Sequence, residues 1–142
     1  MGASNELPRN FPKPAKSVDS APFWDACKEG HLVIQCCAAC GTFRHPPGPI
    51  CAACGSNQIT WKNSAGTGEV FSYVIVEHAV DASLRDQVPY NVVVVRLDDC
   101  GQVLLTSNVL NIAPEALKVG MRVKLQPDDV GGGVVLPRFV AA

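Results

Sequence analysis

Four cysteines fall into two Cys-x-x-Cys pairs, Cys37-Ala38-Ala39-Cys40 and Cys51-Ala52-Ala53-Cys54, each followed at once by a glycine, Gly41 or Gly55. Each pair can wrap its backbone round one ion, and the glycine is expected to turn the chain under the second sulfur, where a side chain would crowd the thiolates. Four thiolates make a soft tetrahedral site, which points to one structural Zn²⁺ per chain held by Cys37, Cys40, Cys51 and Cys54. Iron is the rival ion, since the same sulfurs suit it. Such a shell is coordinatively closed, so it argues for a folding role and against hydrolysis at the metal. A redox Cys-x-x-Cys is expected beside a βαβ pattern, which this sequence does not show.

Three further cysteines read as bystanders. Cys36 adjoins the first pair but would break its symmetry with the second. Cys27 sits in a short apolar helical pattern and Cys100 at a turn after Asp98-Asp99, neither with a neighbouring base in sequence to activate it. His45 lies between the pairs, but four sulfurs already fill a tetrahedral shell, so a surface or contact role is expected for it.

The elements that must position this site are short. Residues 1–18 carry Pro8, Pro12 and Pro14 with mixed charges, and read as an extended tail. From Asp19-Ser20, Pro22 in a first turn, Phe23, Trp24 and Cys27, then Gly30, predict a two-turn helix. So short a helix must pack on something, either this chain's own ribbon or another protein. Strands are expected at His31 to Gln35, entering the first pair, and at Gln58 to Trp61, leaving the second. Between them, Phe43 to Pro49 with its three prolines is expected to be a stiff, exposed, irregular loop.

Residues 66–142 contain five strand-like runs: Glu69 to Glu77, Tyr90 to Leu97, Gln102 to Asn108, Met121 to Gln126 and Val134 to Phe139. Val92 to Val95 is apolar on both faces, as in a strand buried by closure of a sheet. Pro114 to Lys118 before Gly120 reads as a short helix after the third run, the order of an OB-type Greek-key barrel. The fold class is therefore mainly β: an N-terminal short helix and four-cysteine zinc ribbon over 19–65, then a five-stranded OB-type barrel over 66–142. A generic five-stranded sheet is the alternative. No run approaches the length of about 18 apolar residues that a membrane helix needs, and no apolar amino-terminal segment of signal-peptide form is present, so a soluble, cytoplasmic protein with no membrane partner is expected.

The order of parts resembles the bacterial and archaeal family of zinc-ribbon plus OB-fold proteins that accompany acyl-CoA enzymes. The residues that carry the resemblance are Phe23-Trp24, Gly30 to Gln35, the two knuckles, Trp61, Gly66 to Tyr73, Pro89-Tyr90 and Gly120 to Val123, over a region from about residue 20 to the end. The resemblance implies a non-catalytic accessory subunit. Its partners would be thiolase-fold enzymes (thiolases, acyltransferases or retro-aldolases) or hydratase-type enzymes. The helix and ribbon would dock on the partner, and the barrel would help shape a shared acyl-CoA site.

The same two modules suit a single-stranded nucleic-acid binder, and charge weighs against that alternative. Such binding needs a basic groove, yet residues 66–142 hold six basic side chains against nine acidic ones, a net of −3. Arg96 and Arg122 are candidate phosphate partners, with a solvated strand face as the plainer reading. No nucleophile motif or phosphate loop is present, and Gly66-Thr67-Gly68 lacks the third glycine of a dinucleotide turn. The segment 78–88, with His78, Asp81, Arg85 and Asp86, reads as a solvated loop that could serve as a lid. Gly131-Gly132-Gly133 reads as a flexible hairpin connection.

Overall fold

Pro22 cannot donate an amide, which suits the first turn of a helix, and Gly30 takes the positive φ of +90° that ends one. They frame α1 (Ala21–Lys28), the one α-helix among the residues that the computed structural model describes, 13–142. The Ser20 hydroxyl does not cap this helix; it pairs with Ser17 Oγ at 2.9 Å. Residues 1–12 of the expected tail lie outside the described residues, and 13–17 carry neither helix nor strand.

A three-stranded antiparallel sheet follows, built from β1 (Leu32–Cys37), β2 (Phe43–Arg44) and β3 (Ile59–Ser64) in the order β2-β1-β3. β1 is buried along its whole length. The expected irregular loop is therefore corrected at its start: Phe43 and Arg44 form a short strand opposite Cys36 and Gln35. Prolines forbid a ladder only from Pro46 onward, so the two residues before them remain free to pair. The rest of the segment is also less exposed than expected, with His45, Pro47 and Gly48 half-buried.

The second sheet runs β6-β5-β4-β7-β8, with β4 (Thr67–Val76), β5 (Tyr90–Leu97), β6 (Leu104–Ser107), β7 (Arg122–Asp129) and β8 (Val135–Ala141), all neighbours antiparallel. After β6 the chain turns alongside β8 through a parallel bridge between Val109 and Phe139, with Leu110 N donating to Phe139 O at 2.8 Å. β4 pairs with β7 only at Thr67 to Glu69, so the sheet curls into a half-barrel of OB type. Val93, Val95 and Leu97 point into it with no exposure, while Val92 and Val94 are half-covered outside. The alternation is what a strand curled round a core gives. The expected helix at Pro114 to Lys118 shrinks to a single 3₁₀ turn, Pro114–Ala116. The segment 78–88 holds a 3₁₀ helix, Ala82–Gln87, started by Asp81 Oδ1 accepting from Ser83 N at 2.8 Å.

Gly66 and Gly68 have a structural task. A Cβ on Gly68 would lie 2.3 Å from Arg96 O, and one on Gly66 2.7 Å from Leu125 Cβ, so both let strands approach closely. The two sheets share one core. Phe23 and Cys27 of α1 and Leu32 and Ile34 of β1 belong to the same buried cluster as Val70, Val93, Leu105, Val123 and Phe139. The choice left open for α1 is thus resolved: Phe23 packs inside this chain at 3% exposure, with Trp24 edge-on to it at 5.1 Å. Asp99 joins ribbon to barrel, accepting from Ser64 Oγ at 2.7 Å and Ala65 N at 2.8 Å.

Candidate metal centre

β1 delivers Cys37 at its last residue, and Cys37 N donates to Thr42 O at 2.8 Å while Gly41 N donates to Cys37 O at 2.8 Å. The second pair repeats the turn, with Cys51 N to Ser56 O at 2.9 Å and Gly55 N to Cys51 O at 2.8 Å. Gly41 and Gly55 have φ of +80° and +76°, and nothing lies within 4 Å of where a Cβ would stand. Beyond the adjoining residues, space is open at both positions. The left-handed backbone at Gly41 and Gly55 is what calls for glycine there.

These turns bring the Sγ atoms of Cys37, Cys40, Cys51 and Cys54 within 4.8 Å of one another. Cys37 to Cys54 and Cys40 to Cys51 are each 3.7 Å apart. Zinc–sulfur bonds of about 2.3 Å in a tetrahedron set neighbouring sulfurs about 3.8 Å apart, so the four are positioned to bind one metal ion. Cys37 and Cys51 are buried and Cys40 and Cys54 face solvent.

The electrostatics fit a cation. Thr42, through its hydroxyl and then its amide, holds Cys40 down to about 6, and the amide of Cys40 leads in lowering Cys37. Cys54, against the pull of the Ser56 amide, is pushed up to about 11 by the Cys40 and Cys37 sulfurs. Four sulfurs this close resist ionising together, and a divalent ion at their centre removes that resistance.

The other cysteines stay apart from this cluster. Cys36 is buried with Sγ 3.4 Å from Gly41 O. Burial pushes Cys27 up to about 12 and Cys100 up to about 11, so both are poor nucleophiles. His45 turns away from the sulfurs: its ring lies 5.0 Å from Phe23, Nδ1 is buried without a partner among the described residues, and desolvation holds the imidazole down to about 4.

One positioning residue escaped the sequence reading. Gln35 is 1% exposed and its Oε1 accepts from Gly48 N at 2.9 Å and from Arg44 Nε, while the Arg44 guanidinium donates to Gly48 O at 2.7 Å. This clamp holds the His45 to Gly48 segment against the ribbon. A glutamine inside an apolar strand was the available signal, since a buried amide demands partners. The two candidate phosphate partners are engaged elsewhere. Arg96 pairs with Glu69 and lies 5.5 Å from the Phe71 ring, and Arg122 forks onto Asp98, with Nη1 to Oδ1 at 2.8 Å. His78, Asp81, Arg85 and Asp86 are exposed and remote from the sulfurs in sequence.

Residues 24–60 match the family described as ChsH2, rubredoxin-like zinc ribbon domain, and residues 61–126 that described as ChsH2, C-terminal OB-fold domain. The chain is 39% identical to a chain of the solved Ltp2-ChsH2(DUF35) aldolase, with a TM-score of 0.82 over 91% of this chain and 98% of that one. It is 41% identical over 128 residues to a probable enoyl-CoA hydratase alpha subunit of Thermomonospora curvata, covering 90% of this chain and 39% of the relative. It is 36% identical over 112 residues to the 3-oxo-4,17-pregnadiene-20-carboxyl-CoA hydratase alpha subunit of Mycobacterium tuberculosis, covering 79% and 34%. The chain thus spans between a third and two-fifths of the length of these two curated relatives. No described helix is long and apolar enough to cross a membrane.

Proposed function

Because this chain belongs to the family that joins a ChsH2-type rubredoxin-like zinc ribbon to a ChsH2-type OB-fold domain, we propose that it is a non-catalytic, zinc-binding accessory subunit of a thiolase-like enzyme acting on acyl-CoA thioesters. The observation that carries this reading is the 0.82 TM-score match across 98% of a chain from an Ltp2-ChsH2(DUF35) aldolase. Relatives named as CoA hydratase alpha subunits support the same substrate class and the same status as one part of an assembly.

The chemistry of the chain agrees. Zinc at Cys37, Cys40, Cys51 and Cys54 has no open position for water or substrate, so it ties β1 to the proline-rich segment and leaves the reaction to the partner. Burial raises the Cys27 and Cys100 thiols, which leaves both poor nucleophiles. Arg96 and Arg122 carry carboxylate partners, so the half-barrel offers a phosphate polymer little attraction. A cytoplasmic setting fits, since it keeps metal-binding thiols reduced.

The test is recovery of the tagged chain from its source in nuclease-treated lysate at moderate salt, with the stoichiometric companion identified by mass spectrometry. A thiolase-fold enzyme is expected. A hydratase as companion would move the reaction class, and recovery alone, or with nucleic acid when nuclease is omitted, would overturn the proposal.

A further inference from the structure

Between α1, the Pro46-Pro47 segment and the β6/β8 rim lies a cleft of about 480 Å³. Close-packed cores leave few voids larger than a water, and about 300–1,000 Å³ is the range of small-molecule sites. Its walls are largely carbon, from Phe23, Trp24, Pro46, Pro47, Leu104 and Leu136. Leu104, 43% exposed, marks the open side.

Polar groups on these walls are largely turned to other partners, and two that are not, His45 Nδ1 and Arg138 Nε, are buried away from the opening. Ser107 Oγ donates to Pro137 O at 2.6 Å, Asn108 Nδ2 donates to Asn91 O at 2.6 Å, and Ser20 Oγ pairs with Ser17 Oγ at 2.9 Å. Among the described residues lining the cleft, the permanent charge is Arg138, and Asp128 closes it at 2.6 Å with both side chains nearly buried. His45 is neutral at physiological pH. A phosphate or free carboxylate inside would find no uncompensated cation, and losing its water would be costly. Hydrocarbon suffers no such penalty, and its removal from water is favourable.

We propose that this cleft is a binding site for an uncharged hydrocarbon moiety, namely the acyl end of a thioester whose charged CoA portion stays outside. The acyl-CoA identity rests on the function proposed above; the hydrocarbon preference rests on the cleft alone. The two stand or fall separately. Each methylene removed from water contributes about fourfold in affinity, so even partial burial of a longer chain gives a large dependence on length.

The experiment is calorimetric titration of the zinc-loaded chain, residues 1–142, with decanoyl-CoA, butyryl-CoA, CoA and decan-1-ol. It is repeated on Thr106→Trp, an exposed position on the rim whose enlargement would fill the opening, and on the chain lacking residues 1–12. Decanoyl-CoA is expected to bind at least tenfold more tightly than butyryl-CoA or CoA, and Thr106→Trp to weaken it at least tenfold with zinc content and unfolding midpoint unchanged. Decanol binding that Thr106→Trp abolishes, with decanoyl-CoA silent, would uphold the hydrocarbon site and remove CoA thioesters as its source. Equal affinity for CoA and decanoyl-CoA, no binding of either long-chain ligand, or undiminished binding in Thr106→Trp would overturn the site. Binding that emerges only after deletion of residues 1–12 would also overturn it, because the cleft would then belong to the chain's own terminus.

Discussion

Cys37 and Cys54 sit 3.7 Å apart, the spacing of two sulfurs on one zinc ion. Because structural zinc binding and folding are coupled, Cys37→Ser or Cys54→Ser is expected to lower zinc well below one per chain and to unfold the ribbon. Metal analysis together with near-ultraviolet dichroism checks this, and retention of one zinc in both variants would contradict the four-cysteine assignment. His45 carries a second prediction at this scale. Its folded value of about 4 lies below the ordinary 6.5, so between these values the unfolded chain binds the proton first. The contribution is complete above about pH 6.5 and is lost as pH falls toward 4, on the order of 2 kcal/mol for a half-buried group. Urea midpoints across that window, with zinc retention monitored, should fall more steeply for the native chain than for His45→Asn; parallel slopes would refute it. The cysteine pairs were legible because a metal knuckle is local, four residues and a glycine. The left-handed backbone at Gly41 and Gly55 was not, since a residue's φ is set by the turn it closes. Gln35 escaped for a related reason: its partners Arg44 and Gly48 lie 9 and 13 residues away.

All five strands of the second sheet, at the scale of the element, could be read from alternation and turn residues, and Tyr90–Leu97 agrees to the residue. What failed were the short pieces. Phe43–Arg44 becomes a strand because β1 offers a free edge beside it, and Pro114 to Lys118 makes one 3₁₀ turn because Gly120 N is taken by Val70 O at 2.8 Å. Tertiary pairing outweighs propensity in segments this brief. Gly68 is the sharpest test of an element. A methyl group there would meet the β5 backbone at Arg96 O, so Gly68→Ala is expected to cost about 2 kcal/mol or more by forcing β4 and β5 apart. The urea midpoint should fall while zinc stays at one per chain; an unchanged midpoint would show that the strands yield freely.

On the scale of the whole molecule, the helix, ribbon and half-barrel share one buried cluster, and Phe23 and Cys27 bind α1 into it. That non-local contact was beyond sequence reading, because an apolar helix pattern shows that a face must be covered and not by what. The cleft between α1 and the β6/β8 rim has the same origin: it belongs to no motif and exists only where three elements meet. Function was legible chiefly through resemblance, and its physical side through the closed sulfur shell and the acidic balance of residues 66–142. The most direct measurement is turnover of an acyl-CoA panel by three samples: this chain, its stoichiometric companion, and the two together. This chain is expected to give no turnover at any concentration, and the complex a rate at least tenfold above that of the companion. Turnover by the purified, zinc-loaded chain alone would contradict it.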